Sequence, residues 1–526
     1  NNTDVDTPEE SEPAESTPAE SEGTDESTPP EYSEITVEIF DRGTDGGKTD
    51  CTDNYYTDWI KENVLADENI GVTFQAVSRW EETEQLNNLM AAGNAPDVCL
   101  TYSTDLISNY RDLGGLTDLA PYIDTHLADF KAFLGPDLSV EGRDLILRDM
   151  IPETGAVFSI PGRRMNVARI GTFIRKDWLD ELGLPLPTTT DEFYEALVAF
   201  KQGVGGLDAD EVIPLGLTSD VRWRAGNLLE SFIDPDLSER ELWVNTVIDR
   251  KYLLPGYKEG ARFMNMMFNE GLIDPEFPLY EDDVTFDNLT KSGVVGAFIH
   301  NWDQPYRDSP GLLKDLLVNV PDAEIVAIDP FTNADGVTAK TLYDQAGIRA
   351  FIPANSENVD GALRYMNWMS KVENRKYLQL GDEGVTYEME DGVPQLMTTE
   401  GPKIMNSWLN IDYTFPINGL DLGDEALNMQ AMAAGYAVDD QLVTDAYDYA
   451  MANGKPDPVI PVPLSAAGPV TQDLIDKGKT LMATSITCDP EDFDATWEAG
   501  IADWLASGAQ AVIDEREEKY DEYMAQ

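Results

Sequence analysis

Apolar residues are grouped along the chain in short blocks whose spacing alternates between that of strands and that of helices. The run ITVEIF at 35–40 has the composition of a strand, and Tyr56, Ile60 and Val64 then recur at helical spacing. Three further segments continue the alternation as a strand, a helix closed by a glycine and a buried strand: GVTFQAV, TEQLNNLMAAG and PDVCLTY. The first 130 residues therefore predict the order β-α-β-α-β, which is typical of parallel-sheet α/β domains.

The rest of the chain continues with predicted strands and helices. Residues 153–162 predict a short strand ending in Pro-Gly, and the spacing from Thr189 to Glu192 is that of a capping box before an apolar helix face. Apolar residues spaced three, four and seven or eight apart over 501–513 predict one terminal helix. At 526 residues the chain exceeds what one hydrophobic core organises, which indicates two or three domains.

The charge balance restricts the possible partners. The chain has 99 acidic residues against 36 basic ones, a formal net charge of -63. Such a field repels nucleic acid and anionic bilayers, because binding to either depends on Lys and Arg. Residues 1–34 hold 12 acids and no Lys or Arg, which predicts a disordered acidic tether. No apolar run reaches 18 residues, so the sequence predicts no transmembrane helix.

The chain has too few cysteine and histidine residues for several common kinds of site. The chain has 3 cysteines, an odd number without C-x-x-C spacing, and 2 histidines, which argues against disulfide frameworks, histidine-ligated metal centres and histidine-based triads. Gly-Gly-Lys-Thr at 46–49 resembles the end of a phosphate loop, but Arg42 stands where that loop needs its first glycine. We therefore expect no bound nucleotide and no cofactor.

Four stretches, taken in order, resemble one protein family. They are the helix, Ala-Gly turn and Pro-Asp-Val strand at 86–98, the long segment 155–200 with its Gly-Leu-x-x-Pro-x-Thr signature, the helix ending in Gly-Leu-Ile-Asp-Pro at 260–277, and the strand at 291–302. In this order they resemble the extracellular solute-binding proteins of ABC transporters, in the family-1 group that captures sugars and oligosaccharides.

The resemblance implies a fold and a division of the chain. The fold is the two-lobed periplasmic-binding-protein type, α/β throughout, with a hinge of crossing strands and a ligand cleft between the lobes. Carried over segment by segment, lobe 1 takes 35–164 and 346–398, and lobe 2 takes 165–345 and 399–526.

The resemblance also implies a function. Its members capture a carbohydrate outside the cell, here expected to be an oligosaccharide, and deliver it unchanged to a membrane permease, so we expect no enzyme activity. Members from Gram-positive bacteria are lipid-anchored through an N-terminal cysteine, which we expect one residue before Asn1. We expect an extracellular, cell-surface monomer whose only link to the membrane is this anchor.

Sugars have hydroxyl edges and apolar faces, so their pockets need aromatic surfaces and polar partners. Trp59, Trp178, Trp368, Trp497 and Trp504 have core spacing in helices and are interpreted as structural. Four other tryptophans lie beside polar residues at or near strand ends or in loops, where ligands of open α/β sheets bind, and are candidate ligand contacts: Trp302, Trp223, Trp80 and Trp408.

Candidate polar partners follow the predicted strands. In the proteins that this chain resembles, the stretch after the first strand lines the cleft, which suggests Asp41 and Arg42. Tyr102 and Asp105 follow the third strand, and Arg163 follows the predicted hinge strand. All five could pair with sugar hydroxyls.

Many proteins that this chain resembles have a calcium loop at the position of residues 201–217. Here the segment keeps Asp208, Asp210 and Glu211 but lacks the D-x-[DN]-x-[DN]-G spacing. These three are therefore weak calcium candidates, and a solvated acidic turn is the preferred interpretation.

Two alternatives remain at this point. A peptide or an acidic sugar fits the same fold, because arginines are plentiful near the expected cleft: Arg42, Arg163, Arg164, Arg222 and Arg224. A cell-surface glycoside hydrolase needs only two carboxylates across the bond, a pair that sequence spacing neither supports nor rejects among 99 acids.

Overall fold

A computed structural model describes residues 30–43, 50–140, 142–307, 311–333, 336–337, 340–397, 411–436, 438–460, 462 and 464–525. The strands are β1 Ser33–Asp41, β2 Ile70–Ser78, β3 Cys99–Thr101, β4 Ile160–Arg164, β5 Ile170–Arg175, β6 Ile213–Leu215, β7 Val295–Asn301, β8 Ile325–Ile328, β9 Lys340–Leu342, β10 Ala346–Phe351, β11 Tyr387–Glu390, β12 Val393–Leu396, β13 Ile417–Asn418 and β14 Gly454–Pro456.

The helices of the first half are α1 Tyr55–Glu68, α2 Glu82–Ala92, α3 Thr104–Asp112, α4 Ile123–His126, α5 Ala128–Leu134, α6 Lys176–Leu182, α7 Thr190–Phe200, α8 Val221–Arg224, α9 Gly226–Glu230, α10 Glu239–Asn245 and α11 Tyr257–Asn269. Those of the second half are α12 Asp283–Ser292, α13 Leu312–Asn319, α14 Val359–Ser370, α15 Val372–Leu380, α16 Glu425–Ala434, α17 Asp440–Met451, α18 Thr471–Thr487, α19 Phe493–Trp504 and α20 Gln510–Met524. None of the described helices is both long and apolar enough to cross a membrane.

The predicted β-α-β-α-β start of the chain is confirmed. β1 and β2 pair in parallel through nine residues each, with α1 between them, and Val98 next to β3 bridges to Val37 of β1. β3 then pairs with β10, β10 with β4, and β4 with β13. These strands form the sheet of one half of the molecule, called here the first sheet.

A second sheet has the order β6-β7-β5-β8. Side chains alternate between its two faces, so each face has its own core. Ile174 and Ile299 lie in the core that also contains α11, α18 and α19, whereas Phe173 and Phe298 lie in the core that contains α13 and α17. The core of the first sheet is separate from both and is built from residues of 35–160 and 346–378 together with Tyr413 and Phe415.

Three stretches of backbone run between the two sheets, and we call them the crossing segments: residues 164–170, 342–346 and 416–420. They are hydrogen-bonded to one another, since the Arg164 N–H donates to the Gln345 carbonyl at 2.8 Å and the Met165 N–H to the Asn418 carbonyl at 2.8 Å. The Tyr343 N–H likewise donates to the Val167 carbonyl at 2.9 Å. The predicted lobe boundaries stay a prediction, and Tyr413 and Phe415 pack with the first sheet although they follow residue 399.

Three details differ from the sequence predictions. The strand predicted at 153–162 lies at 160–164 and runs through its Pro-Gly, because Gly162 lets the Phe415 carbonyl approach closely. Thr189 caps α7, but the Glu192 carboxylate accepts from Thr188 instead of closing a capping box with Thr189. The single helix predicted at the end is interrupted at Leu505–Ala509, a π-helical turn in which Gly508 has a φ of 125°.

A buried arginine fastens a crossing segment to the first sheet. Arg148 is fully buried and donates from Nη2 to Asp137 at 2.7 Å and from Nη1 to both oxygens of Asp344 at 2.9 Å. Gln345, the next residue, accepts from the Leu138 N–H at 3.1 Å. The segment at 342–346 is therefore held by charge-assisted hydrogen bonds, which are stronger than neutral ones.

We predict that Arg148→Met lowers the free energy of unfolding by about 3–5 kcal/mol, because it leaves the Asp137 carboxylate buried without its cation. Urea denaturation measures the change. The control is Arg111→Met, which breaks a surface pair with Asp112 and should cost about 1 kcal/mol or less. Equal losses in the two variants would contradict the structural role of Arg148.

Candidate functional site

A large cavity lies against the crossing segments. Its volume is about 1320 Å³, and its lining residues come from both sides of the crossing segments, that is, from the halves that contain the first and the second sheet. Phe133 and Arg163 belong to the side of the first sheet, whereas Trp302 follows β7 of the second sheet. The start of α16 and the loop before it supply polar lining: Asn418, Asp421, Asp424, Glu425 and Asn428.

One wall of the cavity is aromatic. Trp302 follows directly on β7, and its backbone N–H donates to the Arg169 carbonyl at 3.3 Å. Its ring meets those of Tyr436 and Tyr447 edge-on, at centroid distances of 6.1 and 5.4 Å. Trp302 is only 5% exposed and belongs to the core beside α17, so it offers a small part of its surface to the cavity.

Two carboxylates of the lining are held by arginines. Asp303 receives Arg307 at 3.0 and 2.7 Å and the Tyr436 hydroxyl at 2.7 Å. Burial, and then the nearby Asp303, raise the pKa of Tyr436, so its hydroxyl stays protonated and donates. Asp421 receives Arg375 at 2.6 Å and the Gly423 N–H at 3.0 Å.

The ionisation of Asp421 is fixed by these partners. Burial by itself raises the pKa of this carboxyl, but the hydrogen bonds from the Gly423 N–H and from Arg375 outweigh it. The net pKa lies below the ordinary 3.8, so Asp421 is a carboxylate acceptor at neutral pH. Such a group suits the binding of hydroxyl donors and does not suit the donation of a proton.

Three arginines of the lining lie on the crossing segment 164–170 or directly before it. Arg163 donates to the Phe133 carbonyl at 3.0 Å. Arg164 lies over the ring of Tyr343 at 4.8 Å, and Arg169 lies over the ring of Trp223 at 4.9 Å. All three arginines line the cavity.

The sequence-predicted residues fall into two groups. Trp302 and Arg163 line the cavity, and Trp223 lies directly behind the lining, where its indole N–H donates to Asn301 at 3.0 Å. Tyr102 borders a small space that also touches Asn418 of the cavity lining. The fold therefore brings Trp302, Arg163 and Trp223 to the cavity or to residues that line it, and Tyr102 to the neighbouring small space.

The other candidates lie outside the cavity lining. The Arg42 guanidinium donates to the Tyr102 hydroxyl at 3.3 Å, and Asp41 accepts from the Gly43 N–H. Trp80 is 76% exposed beside Arg79, and Asp105 is exposed in the first turn of α3. Trp408 lies outside the described residues. The ligand role of all these residues, inside or outside the lining, stays a prediction.

Several lining residues were missed by the sequence analysis, among them Asp303, Tyr343, Asp421 and Tyr436. Asp303 carries a usable signal, since it directly follows Trp302 beyond the end of a strand. Tyr343, Asp421 and Tyr436 have no such local signal, because only the crossing segments and the packing of α16 bring them to the cavity.

The acidic turn at 208–211 is exposed and closes on itself. The Asp208 N–H donates to the Glu211 carboxylate at 2.9 Å, and Lys201 donates to the Ala209 carbonyl at 3.0 Å. Nowhere in the described part of the chain do three His, Cys, Asp or Glu side chains form a group that could hold a metal ion.

The tryptophans interpreted as structural are buried as expected, with Trp178, Trp368, Trp497 and Trp504 all at most 4% exposed. Trp59 is half-buried, and its ring stacks on Tyr377 at a centroid distance of 4.1 Å.

Comparison with known proteins supports the resemblance seen in the sequence. The family model of bacterial extracellular solute-binding proteins matches residues 53–376, which is more than half of the chain.

Among curated proteins, the lipoprotein LipO of Bacillus subtilis (strain 168) is 26% identical over 325 residues, covering 59% of this chain and 60% of LipO. The protein YtcQ of the same strain, named as polygalacturonan/rhamnogalacturonan-binding, is 24% identical over 222 residues, covering 41% of each chain. In both cases the match spans less than two thirds of the relative's own length.

FusA of Streptococcus pneumoniae serotype 4 (strain ATCC BAA-334 / TIGR4), named as a fructooligosaccharide ABC transporter substrate-binding protein, is 28% identical over 214 residues, which is 37% of each chain. The solved structure of FusA in complex with kestose superimposes with a TM-score of 0.55 at 16% identity, covering 94% of this chain and 99% of that one. At this identity the superposition shows the fold alone, and it confirms the two-lobed α/β class.

We predict that Asp421→Asn lowers the free energy of unfolding by about 2–3 kcal/mol at pH 7, because the charge-assisted bonds to Arg375 weaken. The pKa of Asp421 is lower in the folded than in the unfolded chain, so its stabilisation is complete above about pH 4 and is lost as pH falls through the folded-state pKa.

Denaturant titrations of wild type and variant at pH 7 and at pH 3 measure the two differences. The exposed Asp112→Asn is the control and should change little at either pH. A stability difference for Asp421→Asn that stays constant down to pH 3 would show that its ionisation does not contribute.

Proposed function

This chain belongs to the bacterial extracellular solute-binding proteins, and we propose that it captures an oligosaccharide outside the cell and delivers it to the permease of an ABC transporter. The observation that carries the proposal is the cavity at the crossing segments. Its volume of about 1320 Å³ exceeds the ~300–1,000 Å³ of pockets for drug-sized ligands, which suits a chain of several sugar units.

The chemistry of the lining supports a sugar ligand. Aromatic surface from Trp302, Tyr343 and Tyr436 suits the apolar faces of sugar rings, although each ring is at least partly covered. Carboxylates such as Asp303 and Asp421 are acceptors for hydroxyl groups, and the arginines are donors. The name of the relative FusA, a fructooligosaccharide-binding protein, gives independent support.

We propose lobe closure as the mechanism. Phe133 and Arg163 approach the cavity from the first sheet and Trp302 from the second, so one ligand can contact both halves. A ligand that makes more contacts in the closed form shifts the equilibrium between open and closed forms toward it. Within the described parts of residues 160–420, the backbone passes between the two sheets only at the three crossing segments. A closing motion would therefore bend the backbone at these segments.

The cell surface is the proposed location. The family is extracellular, and the lipoprotein name of LipO supports attachment through a lipid-bearing cysteine. Most of the predicted tether, residues 1–29, lies outside the described residues, and its last two residues belong to β1. The acidic segment before β1 would then be a spacer between the lipid and the folded part. We propose that the protein acts as a monomer, since one chain supplies both walls of the cavity.

The alternative of a glycoside hydrolase has less support. Hydrolysis requires a general acid that is protonated before the reaction, usually a carboxyl group with a raised pKa. Asp421 has a lowered pKa, and Asp303 is paired with Arg307. We therefore propose that the ligand is released unchanged. A peptide ligand remains the other alternative and is included in the experiment below.

We predict that at least one saccharide in a panel of neutral and acidic oligosaccharides raises the unfolding temperature, while the same saccharide shows no new reducing ends after incubation. A ligand at 100 times its dissociation constant adds about 2.7 kcal/mol of apparent stability, which a thermal shift detects. Short peptides serve as the comparison set. Stabilisation by peptides alone, or the appearance of reducing ends, would contradict the proposal.

We predict that Trp302→Ala abolishes calorimetrically measurable binding of the saccharide found in that panel, because Trp302 forms part of the cavity wall. The matched control is Trp504→Ala. Trp504 is fully buried, donates to the Leu474 carbonyl at 3.0 Å and is not part of the cavity lining. This control should lose about 3–5 kcal/mol of stability and still bind. Near-normal affinity in a folded Trp302→Ala protein would contradict the site assignment.

A further inference from the structure

Two arginines and two aromatic rings form a continuous row of contacts at the cavity, in which each arginine lies over one of the rings. Arg164 lies over Tyr343 at 4.8 Å, the rings of Tyr343 and Trp223 have centroids 6.3 Å apart, and Arg169 lies over Trp223 at 4.9 Å. We call this set the arginine stack: Arg164, Tyr343, Trp223 and Arg169. It gives Trp223 a role other than that of a direct sugar surface, because its ring supports a guanidinium.

The stack is fixed by the crossing segments. Arg164 and Arg169 belong to one segment and Tyr343 to the neighbouring one, and the Tyr343 N–H donates to the Val167 carbonyl between the two arginines. At the other end, the Trp223 indole N–H donates to Asn301. Stacking on a ring leaves the in-plane N–H donors of a guanidinium available, so both arginines are pre-organised to donate.

Neither arginine is paired with an acid in the part of the chain that the structure describes. Within the described residues, no carboxylate lies within ion-pair distance of Arg164 or Arg169, whereas Arg307 is paired with Asp303. The Arg164 Nε is buried and has no hydrogen-bond partner in the described part of the chain. In a chain with 99 acids and 36 bases, partners for two arginines are abundant, so leaving both unpaired in a cavity calls for a ligand acceptor.

The other lining residues restrict the class of ligand that can supply this acceptor. Asp421, Asp424, Glu425 and Asp448 also line the cavity and would repel a ligand that is negatively charged along its whole surface. They suit hydroxyl groups instead. The ligand must therefore combine a hydroxyl-rich part with an anionic group at the arginine stack.

We infer that the arginine stack binds a carboxylate of a uronate-containing oligosaccharide, an inference that rests on the proposed capture of a saccharide and specifies its class. A planar carboxylate matches the fork of a guanidinium and can accept two parallel hydrogen bonds. Arg164 and Arg169 determine specificity by direct contact with the ligand, and Trp223 and Tyr343 position them.

The test compares matched pairs of saccharides that differ only in charge. Oligogalacturonates, oligomannuronates and glucuronate-bearing xylo-oligosaccharides are each measured by calorimetry beside their carboxyl-reduced, neutral forms. Sulfated oligosaccharides form a third arm. We expect at least one uronate to bind about tenfold or more tightly than its reduced form, since hydrogen bonds between charged groups are the strong ones.

Two substitutions locate the effect. Arg164→Gln and Arg169→Gln should each reduce the ratio of acidic to neutral affinity toward one. Arg240→Gln removes the same charge from α10, where Arg240 pairs with Glu517 and Asp521, and should leave the ratio unchanged. Thermal unfolding of each variant verifies that it is folded, and the wild-type ratio tests the inference even if a variant does not fold.

The possible results separate the two proposals. If saccharides bind but no uronate is preferred over its reduced form, or if sulfated chains are preferred, the inference is wrong and saccharide capture stands. A uronate preference that both arginine variants retain also overturns the role of the stack. If no saccharide of either charge binds, the proposed function itself fails.

Discussion

Three stretches of backbone lie side by side between the two sheets, and their mutual hydrogen bonds determine where the cavity residues can lie. Arg148 anchors this arrangement, because its guanidinium joins Asp137 of the first half to Asp344 on a crossing segment. The guanidinium and Asp137 are both fully buried, so separating them would leave charge unpaired in a poorly solvated interior, whereas Asp344 is partly exposed. The lining residues on both sides of the cavity are therefore positioned relative to one fixed element.

This constraint also explains how the cavity separates its charges. Arg164 and Arg169 lie on one crossing segment and Arg163 directly before it, so three of the arginines that line the cavity are close together in the chain. The carboxylates come from the loop after β7, from the region of α16 and from α17. Some acids of the lining are neutralised locally, as Asp303 is by Arg307, whereas Arg164 and Arg169 have no carboxylate within ion-pair distance among the described residues. The chain thus carries a net charge of -63 although Arg163, Arg164 and Arg169 line its cavity.

The sequence predicted helices and strands best where the pattern is local. β1, α1, β2 and α2 lie within a few residues of their predicted positions, because apolar periodicity and a closing glycine suffice to define them. The strand near 160 was misplaced, because its position depends on the close approach of Phe415, more than 250 residues later in the chain. The π-helical turn at 505–509 was also missed, because the apolar residues on both sides of it keep helical spacing and the pattern therefore reads as one helix.

The sequence by itself determined the α/β class, the family and two residues of the cavity lining that lie beside strand ends, Arg163 and Trp302. Only the tertiary structure decided that Trp80 and Asp105 lie away from the cavity and that Tyr343, Asp421 and Tyr436 belong to it. Periodicity reports which face of an element is buried, and it carries no information about which distant elements meet. The pairing of a charge is likewise decided in space, so only the folded structure reveals that no carboxylate among the described residues pairs with Arg164 or Arg169.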